Sequence, residues 1–147
     1  MTDRLYPKTC WKCRSASVVI EPIPYSVTIE HDGRSYEIHL PALTVPRCAN
    51  CGAFTIDHQA DRDIDVAFRK AAGLLAAHEI AAARERLGLS PHDFATLLGV
   101  PDTTVALIES GAKVQPRLLD SLIRGVLDVP EFRAYLSSLH GLTPTAA

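Results

Sequence analysis

The residues best placed to do chemistry are four cysteines, Cys10 and Cys13 in CWKC and Cys48 and Cys51 in CANC, and the chain has no other cysteine. A C-x-x-C turn sets two thiolates on one side of an ion, and a second pair can complete a tetrahedron from the other side. Soft, fourfold sulfur ligation reads as one structural zinc per chain, with Cys10, Cys13, Cys48 and Cys51 as its ligands. Four cysteines leave no coordination position for water, so the ligand count argues against a catalytic ion. A thiol redox role would use a single C-x-x-C leading into a helix rather than two matched pairs. Disulfides are the competing use, but they need an oxidising compartment. The chain instead reads as cytoplasmic: MTDRLYPKTC has no apolar signal-peptide core, and no run approaches the roughly 20 apolar residues that span a bilayer. Lys12, Arg14 and Arg47 stand beside the pairs and could offset the negative charge of four thiolates. His39 and His58 are remote substitutes as ligands and read more simply as exposed polar histidines.

Positioning those sulfurs falls to a β module. Between Cys13 and Cys48 lie 34 residues, more than the roughly 15 to 20 usual between two zinc-binding pairs, and a hairpin is the natural occupant. Tyr25 to His31 and Arg34 to Leu40 alternate apolar and polar residues around Asp32-Gly33, a dipeptide suited to the positive φ angles of a tight hairpin turn. One face should carry Val27, Ile29, Tyr36, Ile38 and Leu40, and the other Thr28, Glu30, Glu37 and His39. Cys51-Gly52 suggests a zinc-knuckle turn, because glycine lets the backbone wrap toward the ligand. With so little apolar material, this module should depend on its metal to fold. Trp11 and Tyr25 belong either to its small core or to a partner surface.

From about Gln59 the composition turns to Ala, Leu, Ile and Arg with a helical rhythm. A connecting helix is expected over Asp61 to Ala72, with Ile64, Ala67, Phe68 and Ala71 inward and Gly73 as its stop. This places a zinc-binding module at residues 1–72 and a helical domain at 73–147. The helices expected there are Glu79 to Leu87, a helix capped by Ser90 and opened by Pro91, Asp102 to Ser110, one opened by Pro116 and one opened by Pro130. Leu118, Leu119, Leu122, Ile123 and Val126 should face the core from the fourth, and Phe132, Leu136 and Leu139 from the fifth. The C-terminal LTPTAA should fray. The fold class is therefore α+β: a small zinc-bound β module followed by an all-α domain of about five helices.

Ile80 to Gly111, IAAARERLGLSPHDFATLLGVPDTTVALIESG, has the spacing of a helix-turn-helix: a capped helix, a glycine turn after Leu98 and a short second helix. It resembles the Xre/Cro-type pattern, in which Leu89-Ser90 opens the second helix, Ala95 packs against the third, Gly99 turns and Glu109-Ser110-Gly111 closes. CWKC, CANCG, GLLAAHEI, LGLSPHDFATLLGV and ESG follow one another in the order found in the MqsA family of zinc-binding antitoxins, with its YgiT-type zinc finger. The chain resembles that family over roughly residues 8–139. The resemblance implies a homodimer whose zinc module binds a cognate toxin and whose helical domain binds operator DNA and represses its own operon. It also implies that Thr103, Thr104 and Leu107, beside Asp102 and Ala106, face the major groove, with Val105 and Ile108 turned inward. Lys113, Arg117 and the helix N-termini could contact phosphate.

Charge does not reinforce that reading. The net charge of −2 divides into nine basic against nine acidic residues up to residue 75 and six against eight beyond, so neither half has the cationic surface that drives non-specific DNA binding. The groove-facing set lacks the Arg, Asn and Gln that pair bidentately with bases. Asp102 opposes phosphate, and Pro91 stands where a phosphate-contacting Gln is common. The alternative is a partner-binding antitoxin or adaptor whose helix-turn-helix serves dimerisation. An enzyme is disfavoured: no Ser-His-Asp order, phosphate-binding glycine loop or HExxH stands out, and Asp61, Asp63 and Asp65 read as the solvated acidic start of a helix.

Overall fold

The computed structural model describes residues 9–142; of the LTPTAA segment expected to fray, Thr143 to Ala147 lie outside the described residues, and Leu142 is instead packed on the helical core. The elements run β1 (Val18–His31), β2 (Arg34–Cys48), α1 (His58–Ala72), α2 (Ala77–Arg86), α3 (Pro91–Leu98), α4 (Asp102–Glu109), α5 (Arg117–Asp128) and α6 (Pro130–Leu139). Among the described residues they divide into two compact units, the first holding 9–30 and 34–68, the second 31–33 and 69–142. The fold is α+β, and no described helix is long and apolar enough to cross a membrane.

In the first unit β1 and β2 form a two-stranded sheet. Asp32 and Gly33 join the strands at φ 51° and 70°, the mirror-image turn whose twist suits a hairpin. Val27, Ile29, Tyr36, Ile38 and Leu40 are buried or half-buried while Thr28, Glu30, Glu37 and His39 are exposed, as the alternation requires. The strands extend well past the expected Tyr25 and Leu40, through Pro22, Pro24, Pro41 and Pro46. In a two-stranded ribbon each strand is an edge, so outward positions need no N–H and tolerate proline. The inward parity changes from even at Tyr36, Ile38 and Leu40 to odd at Leu43 and Val45, a slip of one residue like that of a β-bulge. The core is small: Ile23, Leu43, Val45 and Ala60, with Tyr25, Leu40 and Ile64 against it. Tyr25 also meets Phe54 edge to face at 6.2 Å, and Tyr36 meets Phe68 at 5.5 Å.

Helix α1 starts at His58, earlier than Asp61, because Asp57 caps it: the Asp57 carboxylate accepts the N–H groups of Gln59 and Ala60 at 3.1 and 2.9 Å. Its buried apolar positions, Ala60, Phe68 and Ala72, are spaced by multiples of four residues, and Ala71 falls outside that stripe and is exposed. Helix α2 likewise starts before Glu79, which instead reaches back to accept the Ala76 N–H at 2.8 Å in a capping interaction.

Five helices, α2 to α6, build the second unit around Ile80, Phe94, Leu97, Val105, Ile108, Ile123 and Val126. Leu118 is 85% exposed, because at about 100° per residue it lies about 140° around α5 from Ile123. Leu139 is exposed too. The chain turns at Gly141 and Leu142 packs on the core in its place, with its N–H donating to the Ser137 carbonyl at 2.9 Å, a hydrophobic contact typical of this helix ending. Where α5 and α6 pack, a Cβ on Gly125 would stand 3.0 Å from the Phe132 ring.

A buried polar network fixes the segment ahead of α2. Gln115 is fully buried; it donates to the Leu75 carbonyl at 2.8 Å and to Asp120 at 2.9 Å, and accepts from Arg69 at 2.7 Å. Asp120 also accepts the Leu75 N–H at 2.9 Å and the Arg124 guanidinium at 2.8 Å. Burial alone would raise the Asp120 carboxyl, but Arg124, Gln115 and the Leu75 N–H outweigh it and hold the pKa below its ordinary value.

Candidate metal centre and nucleic-acid interface

Both cysteine pairs are built on the same turn. The Arg14 N–H donates to the Cys10 carbonyl at 3.0 Å and the Cys10 N–H to the Ser15 carbonyl at 2.8 Å; the Gly52 N–H donates to the Cys48 carbonyl at 2.8 Å and the Cys48 N–H to the Ala53 carbonyl at 2.8 Å. Arg14 and Gly52 occupy equivalent positions at φ 63° and 74°. The glycine half of this motif is legible from CANCG, whereas an arginine in the left-handed region gives no sequence signal.

The four sulfurs lie within 4.8 Å of one another. The closest approaches pair one sulfur from each turn, Cys10 with Cys51 at 3.6 Å and Cys13 with Cys48 at 3.7 Å. Metal–sulfur bonds of about 2.3 Å in a tetrahedron would put the sulfurs about 3.8 Å apart. The residues therefore fit a single fourfold thiolate-bound ion. Polar groups surround the sulfurs: the Lys12 N–H points to Cys10 at 3.4 Å, the Asn50 amide to Cys13 at 3.6 Å, and the Ser15 hydroxyl stands 3.2 Å from Cys13 and 3.4 Å from Cys48. Ser15 was missed by reading spacing alone. Its hydroxyl and backbone N–H, followed by the Asn50 amide, hold the Cys13 thiol down to about 5, and the same hydroxyl leads the lowering of Cys48. At Cys51 the lowering hydrogen bond from the Ala53 N–H is outweighed by desolvation and the neighbouring sulfurs, which push it up to about 11. Without a cation the four cannot all ionise together, and a bound cation removes that conflict.

Arg47 is committed elsewhere, ion-paired to Glu21 at 2.8 Å and donating to the Gly52 carbonyl at 3.3 Å, so it braces the second turn. His39 hydrogen-bonds Ser26 at 2.9 Å and His58 is exposed on α1; neither joins the sulfur cluster. Tyr25 packs into the small core, whereas Trp11 is 66% exposed.

In the second unit, Ser90 caps α3 by accepting the Asp93 N–H at 3.0 Å while its hydroxyl donates to the Asp93 carboxylate at 2.7 Å. Gly99, at φ 65°, turns the chain, and α4 follows with Val105 and Ile108 buried. Asp102, Thr103, Ala106 and Leu107 form its exposed side, and Thr104 is half-buried. Lys113 is exposed. Arg117 is half-buried, with its guanidinium donating to the Ala72 carbonyl at 2.6 Å. Two pairings could not be read from one sequence. Arg84 holds Glu109 through two hydrogen bonds of 2.6 and 3.0 Å and also donates to the Leu89 carbonyl at 2.8 Å. The Glu109 carboxylate is the main cause raising the Arg84 pKa. His92, the second residue of α3, meets Asp102, the first of α4, at 2.9 Å.

Residues 80–124 match the Helix-turn-helix family model, which spans less than half of the chain. The match covers the α3–α4 pair and its turn and indicates a DNA-binding regulator. No curated protein matches the chain.

Proposed function

We propose that this chain is a homodimeric zinc-binding repressor of the antitoxin kind, whose helical domain (residues 73–147) binds operator DNA and whose cysteine module (residues 1–72) binds a toxin protein. The observation that carries the DNA half is the α3–Gly99–α4 pair, which buries Val105 and Ile108 and leaves Thr103 and Leu107 exposed within a helix-turn-helix match. On this reading the Thr103 and Thr104 hydroxyls hydrogen-bond base edges, and their methyl groups and Leu107 touch thymine methyls. Lys113 contacts phosphate, and Arg117 adds positive charge from a guanidinium held against Ala72. Zinc is the ion that best suits four thiolates in a closed tetrahedral site, and its role there is to hold the two turns together.

The toxin half is supported by the order of the motifs shared with the MqsA family. It is also supported by apolar residues the first unit leaves in solvent, Trp11, Val19, Ile20, Phe54 and Ile56, types that anchor protein interfaces. Leu118, Tyr135 and Leu139, exposed on α5 and α6, are available for self-association. A second reading, a helix-turn-helix kept for dimerisation alone, is favoured by the exposed Asp102 carboxylate and by Leu107 at 45% exposure. Replacing Thr103 and Leu107 by Ala in the zinc-loaded protein separates the two. Loss of selective operator binding with partner binding intact supports the repressor, while unchanged promoter occupancy supports the scaffold.

A further inference from the structure

We infer that His92 is a proton-gated phosphate contact of the helix-turn-helix, positioned by Asp102. The inference rests on the DNA-binding reading above and assigns a role to the two side chains that reading leaves unexplained. The His92 Nδ1 lies 2.9 and 3.2 Å from the two Asp102 carboxylate oxygens. An ionised carboxylate only accepts, so the proton between them sits on Nδ1. That bond orients the ring and leaves Nε2 without a hydrogen bond to any described residue. Both side chains are largely solvent-exposed, at 72% and 60%, at the starts of the two helices that form the motif.

The charged groups acting on the ring are Asp102 from α4 and Asp93 from α3 itself, and both favour the imidazolium, Asp102 more strongly. With His92 protonated, the pair is neutral overall and offers an Nε2–H donor to a phosphate oxygen. When His92 loses its proton, Nε2 becomes an acceptor and Asp102 is left as an uncompensated negative charge. One proton thus takes this corner of the surface from neutral, with a donor, to negative, with none. The acidic residue at the head of α4 then has a use in a DNA-binding protein: it holds the imidazole in place and keeps it charged.

The test is operator affinity of the zinc-loaded full chain between about pH 6 and about pH 8.5, at fixed salt, for the parent protein, His92→Gln and His92→Lys. The parent Kd should rise with pH, with a limiting slope of about tenfold per pH unit per protomer for one linked proton. His92→Gln should flatten that dependence by weakening binding at the acid end. His92→Lys, carrying a fixed charge, should bind tightly at both ends. A selective complex with a pH-independent Kd, or an unchanged pH profile in His92→Gln, overturns this inference alone. The absence of a selective complex even at low pH and low salt overturns the DNA-binding reading and this inference with it.

Discussion

At the scale of single residues, the four-sulfur cluster rests on two copies of one turn that differ at a telling position. Gly52 adopts φ 74° without penalty, but Arg14 holds φ 63° with a Cβ, a conformation that costs an L-residue roughly 1 to 2 kcal/mol. Arg14→Gly should therefore stabilise the metal-loaded protein by roughly 0.5 to 1 kcal/mol, the gain from relieved strain exceeding the entropy glycine adds to the unfolded chain. Urea unfolding of the two proteins measures it, and a destabilised variant would show that the Arg14 side chain contributes more than its strain costs. The meeting of the four cysteines was legible because two C-x-x-C pairs are spaced to share one site. Ser15 and the Arg14 conformation were not, since nothing about a serine or arginine near a ligand announces a hydrogen bond or a dihedral angle.

At the scale of elements, capping and turn chemistry made α3 and α4 readable: Ser90, Pro91 and Gly99 each act within a few residues of themselves. Two other helix starts were misplaced. Glu79 marks the first turn of α2 rather than its first residue, and Asp57 lies ahead of the acidic run that suggested a later start for α1. Leu118 and Leu139 failed as core residues because apolar character does not say which side of a helix is covered. The tie between α2 and α4 was the least visible feature. Glu109 closes a recognisable Glu-x-Gly, yet its structural use is to receive the buried Arg84, 25 residues away. Glu109→Ala leaves that guanidinium buried with only the more distant and exposed Glu85 carboxylate, at 3.6 Å, and should cost about 3 kcal/mol. The paired change Arg84→Met with Glu109→Leu should recover much of that loss. Thermal unfolding of the three proteins decides, and a loss below about 1 kcal/mol for Glu109→Ala would place the pair among ordinary surface ion pairs.

At the scale of the whole molecule, the two units differ in what holds them. The helical unit has an apolar core drawn from all five of its helices, whereas the first unit has one cluster of four buried residues, with Ile38 and Phe68 buried outside it, beside its four sulfurs. Metal removal should therefore act unevenly. Chelation should abolish amide-exchange protection along residues 18–48 while protection in α3 to α5 persists. Retained protection in the hairpin would mean that its small core suffices without a metal. The change from β to helical composition near Gln59 made the passage from strands to helices legible, whereas nothing in Asp32-Gly33 assigns residues 31–33 to the second unit, because a turn sequence specifies only its own bend.

The central claim is that the helical unit of this chain reads DNA although its net charge gives no general attraction to it. The most direct measurement is a mobility shift of the zinc-loaded protein on its own upstream DNA, against scrambled DNA of the same length, at two salt concentrations. The account predicts a complex selective for the upstream DNA, with affinity falling as salt rises but less steeply than for a protein making the six to ten phosphate contacts of a strongly basic binder, roughly one decade lost per decade of salt for each phosphate engaged. A folded, zinc-replete protein that shifts neither DNA, or both equally, would contradict it.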